Sequence, residues 1–214
     1  MKRIISFIMV TLLTVVSALA NIAEGVSGDC NWVIDNDGNL TISSESDDLA
    51  DLGTWVGDSA PWSNYRDSIT TVVFSSPVNA KTCAYMFKGC TNLNAVYLDN
   101  FYTNEVTDMS FMFAGCTSLE VIEFDMAASA QDDMLSRDNF LTGSVTNMAG
   151  MFEGCKSLQS FFLQNLDIHS VTNFSDMFAG CSSLENINLT VNKNANSSSL
   201  TAINDIENDI DDIE

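Results

Sequence analysis

The pentapeptide Met-Phe-x-Gly-Cys occurs four times in this chain of 214 residues, and its spacing limits the fold more than any other feature of the sequence. The first two copies start 26 residues apart, as do the last two, whereas the middle interval of 39 residues is 13 longer. The recurring residues are Met86, Phe87, Gly89 and Cys90; Met112, Phe113, Gly115 and Cys116; Met151, Phe152, Gly154 and Cys155; and Met177, Phe178, Gly180 and Cys181. A fixed period in the twenties predicts structural repeats that stack into a solenoid.

The pattern within one unit predicts its local structure. In the second unit, four apolar residues follow the i, i+3, i+4, i+7 spacing of a short amphipathic helix: Met109, Met112, Phe113 and Cys116. Gly115 allows this helix to end, and Ile122 and Phe124 mark the inward face of a short strand. Neither element can bury its apolar side alone, so successive units must stack and their strands must form a parallel sheet. The predicted strands are residues 69–74, 93–98, 119–124, 158–163 and 184–189.

Both ends of the chain differ from the repeats. Residues 1–20 combine Lys2 and Arg3 with an apolar run and a small-residue end, which predicts a secretory signal peptide. Residues 21–68 are predicted to form an N-terminal β cap, because apolar residues alternate on either side of the Asp37-Gly38 turn of a β-hairpin. Residues 69–189 are the predicted solenoid, with a loop inserted near 126–137. Residues 190–214 are a polar linker with an acidic tail or a weak capping helix.

The charge and hydropathy of the chain limit its partners and its location. The formal net charge of −21 makes the chain repel nucleic acids and anionic lipids, so nucleic acid is not expected as a partner. No later stretch is long and apolar enough to span a bilayer, so we expect no membrane insertion after the signal peptide is removed. Because no anchor motif is found either, we expect a protein that is secreted or held at the cell surface by other means.

The cysteines allow several interpretations. Four equivalent cysteines are predicted to form a column through the stack: Cys90, Cys116, Cys155 and Cys181. We favour buried free thiols that act as small apolar side chains, although strand spacing also permits disulfides along the column. Cys83 takes a core position, and Cys30 in the cap is a candidate to pair with it. No metal or cofactor is expected: the spacing lacks a zinc knuckle, His169 is the single histidine, and the acidic turn at Asp35 has Ser46 where a calcium loop needs Glu.

The repeat resembles a known family. The unit VTDMSFMFAGCTSLEVIEF, residues 106–124, is similar to the BspA-like leucine-rich-repeat surface proteins, in the variant called the DUF285 repeat. The cap residues 32–43 and 60–74 resemble the N-terminal region of that family. The resemblance implies an α/β repeat solenoid: a leucine-rich-repeat-like, right-handed coil with short parallel strands on one side and short helices on the other. It also implies a secreted or surface-displayed binding protein, in a family linked to adhesion and cell–cell aggregation.

The strand positions that alternate with the buried ones predict where a ligand binds. One row of outward residues consists of Tyr97, Glu123, Phe162 and Asn188, one from each strand of the four Met-Phe units. Exposed aromatic residues among polar groups are typical of a protein-recognition surface, so the expected partner is a protein or glycoprotein. An alternative is that Tyr97 and Phe162 only cover the sheet beneath the inserted loop. A ligand site on the inserted loop itself is a further alternative.

Two other functions stay open at this point. A structural or spacer module would need no ligand of its own, since a fold does not fix a function. A secreted hydrolase would need paired carboxylates, and Asp132 with Asp133 is such a pair. This is the least favoured alternative, because the pair lies in a polar loop, His169 occupies a variable position of the repeat and no nucleophile motif is found. We therefore predict that the chain is not an enzyme.

Overall fold

The computed structural model describes residues 20–46, 48–123, 140–162 and 166–188. Within these ranges one short 3-10 helix, Ser63–Ser68, accompanies a set of short strands. The strands are β1 Ala23–Ser27, β2 Cys30–Ile34, β3 Asn39–Ser43, β4 Ala50–Asp51, β5 Thr71–Phe74, β6 Val78–Asn79, β7 Ala95–Tyr97, β8 Phe101–Tyr102, β9 Val121–Glu123, β10 Ser160–Phe162 and β11 Asn186–Asn188.

The largest sheet has the strand order β1-β2-β3-β5-β7-β9. Strands β1, β2 and β3 pair antiparallel, whereas β3, β5, β7 and β9 pair parallel. The predicted hairpin is therefore confirmed as β2 and β3, and its second strand supplies the edge on which the first coil of the repeat pairs. Strand β1 was not predicted. Its alternation is weak, because Gly25 fills an inward position against the ring of Trp32.

The alternation of buried and outward residues explains why these segments form strands. Leu40, Val72 and Val96 face each other in register and are fully buried, while their neighbours along each strand are not. Burying such side chains contributes roughly 1.5–3 kcal/mol each and fixes the register, since a slip by one residue would expose them. The predicted strands 69–74, 93–98 and 119–124 each contain an observed strand of three or four residues.

The first coils also pair through a second parallel sheet, which the sequence pattern did not predict. Strands β4, β6 and β8 form a separate three-stranded parallel sheet, in which Ala50, Val78 and Phe101 point into the core. These strands have only two residues each, which is too short for an alternation pattern to be recognised. In later coils, isolated parallel bridges join Asp108 to Asn147 and Asn147 to Asn173.

The prediction of short helices opposite the strands is wrong. In the described residues the Met-Phe-x-Gly-Cys segments form successive turns rather than helices. Phe111 and Gly115 have φ of 55° and 76°, in the left-handed region that a right-handed helix excludes. Alternate backbone N–H groups also bond the next coil: the Phe113 N–H donates to the Met151 carbonyl at 2.9 Å, whereas the Cys116 N–H donates within the turn to the Phe113 carbonyl at 3.0 Å. The apolar spacing nevertheless predicted the buried residues correctly, because the turns bury the residues that the helix was expected to bury.

The prediction of one continuous parallel sheet is only partly right. Strands β10 and β11 pair parallel with each other but belong to a sheet separate from that of β9. The coils on either side of this break still stack, since the Gly115 N–H donates to the Glu153 carbonyl at 2.7 Å. The predicted inserted loop near 126–137, most of the predicted signal peptide and the predicted linker and tail at 190–214 lie outside the described residues. The domain boundaries and the hand of the coil stay predictions.

Candidate functional site

The recurring phenylalanines form a single column through the coils. The ring centroids of Phe87 and Phe113 are 5.6 Å apart, those of Phe113 and Phe152 are 5.6 Å apart, and those of Phe152 and Phe178 are 5.5 Å apart. Their planes are inclined by no more than 19°. Each ring is buried, so the column contributes both apolar burial and aromatic stacking. These residues hold the coils together and are not available to a ligand.

Tryptophans of the cap close the N-terminal end of this column. The Trp62 ring stacks on Phe87 with a centroid distance of 5.8 Å, and its indole N–H donates to the Met86 carbonyl at 2.8 Å. Trp55 contacts Trp62 and donates its indole N–H to the Ala84 carbonyl at 2.8 Å. These bonds satisfy carbonyl groups that the first coil would otherwise present without a preceding coil, as the end of a stack of repeats requires.

The four repeat cysteines form a second buried column, and their interpretation as buried thiols rather than disulfides is confirmed. All six cysteines of the chain are buried, and none of them is part of a disulfide in the described residues. The thiols of Cys116, Cys155 and Cys181 lie 3.1–3.2 Å from the phenylalanine carbonyl of the coil before, and each donates to it. Burial raises the pKa of the Cys90 thiol to about 12 and raises the pKa of Cys116 well above its ordinary value. Such thiols are neutral and unreactive at physiological pH.

The candidate disulfide between Cys30 and Cys83 is not formed, because Cys30 lies against another part of the cap. Its thiol is 3.7 Å from the Asp51 carbonyl oxygen. Burial, together with the charges of Asp29 and Asp51, raises the pKa of Cys30 to about 11. Burial also raises the pKa of Cys83. Both cysteines therefore act as core residues.

Hydrogen bonds within the acidic hairpin turn engage the carboxylate that was considered as a calcium ligand. The Asp35 carboxylate accepts bonds from the backbone N–H groups of Asp37 and Asn39, at 3.0 and 2.9 Å, and from the Asn39 side chain at 2.8 Å. The bonds from Asn39 and the turn backbone hold the pKa of Asp35 below its ordinary value. This carboxylate stabilises the turn, and no group of three or more metal-ligating side chains is found among the described residues.

The exposed side of the large sheet carries one row of residues that crosses all six strands. Strand register places them side by side in the order Glu24, Val33, Thr41, Val73, Tyr97 and Glu123, which we call the outward row. The four central residues are half-buried and uncharged, whereas the two glutamates at its ends are exposed. A β-sheet face of valine, threonine and tyrosine is a partly apolar surface that another protein can cover.

The predicted ligand residues occupy the strands as two pairs. Tyr97 is the direct partner of Glu123 on β7 and β9, and Phe162 is the partner of Asn188 on β10 and β11. The break between β9 and β10 separates the pairs, so the four residues do not form one uninterrupted row as predicted. The sequence prediction missed the cap residues of the outward row, although alternation in β2 and β3 was a usable signal.

The few cations of the described residues lie on other parts of the coil. Arg66 forms an ion pair with Asp58, and Lys81 forms one with Asp51. The Lys88 ammonium lies 5.1 Å from the centroid of the Tyr85 ring. It is on the side of the coil that carries the Met-Phe-x-Gly-Cys turns, which we call the turn side, opposite the strand side that carries the large sheet. No Lys or Arg occurs in the six strands of the large sheet. The outward row therefore has a negative charge that no neighbouring strand residue neutralises.

Of the residues considered for catalysis, the structure describes His169. Asp132 and Asp133 lie outside the described residues. His169 has its Nδ1 atom 2.7 Å from an oxygen of Asp167, and both side chains are about half exposed. Partial burial acts to raise the pKa of Asp167, but the hydrogen bonds from His169 outweigh it and hold that pKa below its ordinary value. An exposed carboxylate of lowered pKa is poorly suited to act as a general acid.

The sequence of the repeats identifies the family. Residues 75–134 and 121–210 match the family described as Mycoplasma protein of unknown function, DUF285. Together the two matches span more than half of the chain and include every Met-Phe-x-Gly-Cys segment. The chain belongs to this family. The resemblance to the DUF285 repeat is thereby confirmed.

Other comparisons add two similar structures. No curated protein matches this DUF285 chain. A leucine-rich repeat protein from Eubacterium ventriosum is 19% identical with a TM-score of 0.42, over 82% of this chain and 45% of that chain. A leucine rich cell surface protein from Faecalibacterium prausnitzii is 16% identical with a TM-score of 0.25, over 78% of this chain and 55% of that chain. The DUF285 chain thus spans about half the length of each.

The outward row crosses the boundary of the DUF285 match. Tyr97 and Glu123 lie inside the matched residues, whereas Glu24, Val33 and Val73 precede them. The candidate surface is therefore built jointly by the DUF285 coils and by the N-terminal cap. The described part of the chain contains no helix with the length and hydropathy required to cross a membrane.

Proposed function

We propose that this chain is a non-enzymatic binding protein, secreted or exposed at the cell surface, that recognises a protein or glycoprotein through the strand side of a right-handed solenoid. The observation that carries the proposal is the outward row, in which Tyr97 stands half-exposed among β-branched residues and next to Glu123. Adhesion to surfaces or to other proteins is the role that fits such a module.

The division of residues within each coil supports this proposal. The recurring methionine, phenylalanine and cysteine of every unit are buried in the core, and the N–H groups of Gly89, Gly115 and Gly154 bond the next coil. The outward strand positions make no comparable contribution to the core, so their side chains are free to change without loss of the fold. A surface that holds aromatic and β-branched side chains between polar edges has the composition of a protein interface.

The proposed ligand residues are Tyr97, Glu123, Phe162 and Asn188. The proposal depends most on Tyr97 and Glu123, because the register of β7 and β9 makes them neighbours on adjacent strands. Phe162 and Asn188 extend it along the later coils by the pairing of β10 and β11. Tyrosine is enriched among the residues that dominate binding energy at interfaces, so Tyr97 is the residue to test first.

The test is binding of the purified protein to an array of extracellular-matrix proteins, mucins and surface glycans. Tyr97→Ser is compared with Tyr102→Ser, which removes the same side chain from a half-buried position in the second sheet. We expect saturable binding that Tyr97→Ser weakens about tenfold or more, as for a central interface tyrosine. Tyr102→Ser should leave the affinity unchanged, and thermal unfolding should show that both variants are folded.

Other results would redirect or reject the proposal. Equal losses for both tyrosine variants would indicate a general effect on the fold rather than a binding face. Binding that Tyr97→Ser leaves intact would move the site away from the strand side. Absence of saturable binding across the whole array would reject a recognition role and favour a structural spacer.

A further inference from the structure

We infer that the recognition surface continues onto the N-terminal cap and selects a partner whose apolar centre is flanked by cationic side chains. This inference rests on the proposed function and specifies its ligand. It adds Glu24, Val33, Thr41 and Val73 to the surface, since strand pairing places them in one row with Tyr97 and Glu123.

The geometry of the outward row defines the shape of this partner. Neighbouring strands lie about 4.8 Å apart, so the five steps from Glu24 to Glu123 span about 24 Å. The four residues between them are uncharged and half-buried. A complementary partner therefore needs a largely apolar strip covering the central positions and basic groups at both of its ends.

The charge of the molecule determines the sign of the charge expected on the partner surface. Both ends of the row are exposed carboxylates, and the six strands contain no Lys or Arg. The net charge of −21 adds a long-range field of the same sign. A second copy of this chain would bring like charges together at both ends, so self-association through this face is disfavoured. A basic protein surface is attracted by both the local and the overall charge.

The position of Glu24 separates this inference from a general effect of acidity. Glu24 lies on β1 at the edge of the cap, five strands away from Glu123. Its carboxylate accepts a hydrogen bond from the Asn21 amide at 3.0 Å, which a glutamine can keep. Glu24→Gln therefore removes one charge from the far end of the row with little effect on the fold. Glu153→Gln is the matched control, because Glu153 is exposed on the turn side of the coils.

The experiment uses purified extracellular proteins that span acidic to basic isoelectric points. Binding of the parent protein, Glu24→Gln, Glu123→Gln, the double variant and Glu153→Gln is measured at about 0.1 M and about 1 M salt, where charges are screened weakly and strongly. We expect affinity to rise with the positive charge of the probe. Each row variant should lose about two- to fivefold at low salt, the effect of one exposed ion pair, and none at high salt. Glu153→Gln should match the parent protein.

Several results would overturn the inference. Equal affinity for acidic and basic probes would show that the partner is not selected by charge. An equal loss for Glu153→Gln would show that only the total charge matters, and an unchanged affinity for Glu24→Gln would confine the surface to the repeats. If Tyr97→Ser abolishes binding while the glutamate variants do not alter it, the proposed function stands and this inference fails. If no probe binds, both fail.

Discussion

The residues of the turn side recur from coil to coil, whereas the outward residues of the strand side differ. On the turn side, every unit repeats methionine, phenylalanine, glycine and cysteine, and nearly all of these side chains are buried. On the strand side, the outward positions hold different residues in each coil, such as Val73, Tyr97 and Glu123. Recurring side chains join the coils on the turn side, whereas backbone pairing and inward residues such as Val72 and Val96 join them on the strand side, which leaves the outward side chains free to vary.

The physical basis of this division is the one-dimensional packing of a repeat protein. Each phenylalanine ring contacts rings one coil away, at centroid distances of 5.5–5.8 Å for the column and its Trp62 cap. A residue at the same position of every coil must therefore fit copies of itself, and such a self-complementary set tolerates little change.

The largest effect is expected from interrupting the phenylalanine column at its centre. Phe113→Ala removes a buried ring that stacks on Phe87 and on Phe152. Loss of its burial and the resulting cavity should lower the free energy of unfolding by about 3–5 kcal/mol. Chemical denaturation followed by circular dichroism measures this change.

The neighbouring Phe111 provides the matched control for that prediction. Its ring is half-buried on the turn side, where it stacks on Tyr85 at a centroid distance of 5.2 Å. Phe111→Ala should cost about 1 kcal/mol, since only a partly exposed contact is lost. Equal costs for the two alanine variants would contradict the assignment of stability to the buried column.

The cysteine column should make the protein sensitive to alkali. The ordinary thiol pKa is 9.0, and burial raises it to about 12 at Cys90 and raises it also at Cys116 and Cys155. Below pH 9 the thiols are neutral in both states. Above it the unfolded chain releases protons that the folded chain retains, so stability falls as pH rises toward the folded pKa values. Each buried thiol should contribute a loss of about 1.4 kcal/mol per pH unit in this window.

A double variant isolates this effect from other groups that titrate in alkali. Cys116→Ala with Cys155→Ala should be less stable near neutral pH because it loses buried volume. Its free energy of unfolding should nevertheless fall less steeply above pH 9, by about 3 kcal/mol per pH unit for two thiols. Parallel slopes for the parent and the variant would mean that these thiols do not remain neutral in the folded state.

The sequence predicted the repeat, the buried residues and the cap more accurately than the local backbone. The period of 26 residues and the burial of Cys116 and Phe113 followed directly from the spacing of apolar residues. The turns at these segments could not be predicted in the same way. An i, i+3, i+4 spacing marks a buried face in either backbone, and the left-handed conformation of Phe111 is set by bonds to the next coil.

The sequence also predicted the candidate site only in part. Alternation predicted that Tyr97 and Glu123 point outward, and the register of β7 and β9 places them together. The continuation of the row through Val33 and Glu24 depends on antiparallel pairing within the cap, which joins residues distant in sequence. Sequence periodicity reports the face of a residue but not its neighbour on the next strand, so that part of the surface required a structure.

The glycines of the turn side should show an intermediate effect that depends on conformation. Gly115 has φ of 76°, and a Cβ atom added there would meet its nearest neighbour, Gly89 Cα, at an ordinary 3.6 Å. The cost of Gly115→Ala therefore comes from the backbone, at about 1–2 kcal/mol. Gly115→Asn should cost less although its side chain is larger, because asparagine tolerates the left-handed region. A greater loss for asparagine in chemical denaturation would indicate that space, and not conformation, selects glycine.

The smallest effect on stability is expected on the strand side. Tyr97→Thr replaces a half-buried outward residue with a β-branched residue that suits a strand. The free energy of unfolding should change by no more than about 0.5 kcal/mol, the usual range for surface positions. Chemical denaturation beside Phe113→Ala makes the comparison direct. A loss near that of Phe113→Ala would make Tyr97 part of the core and remove the distinction between the two sides. A negligible loss would mean that the outward row is free of folding constraints, because the adjacent Val96 on the same strand already secures the register by its burial.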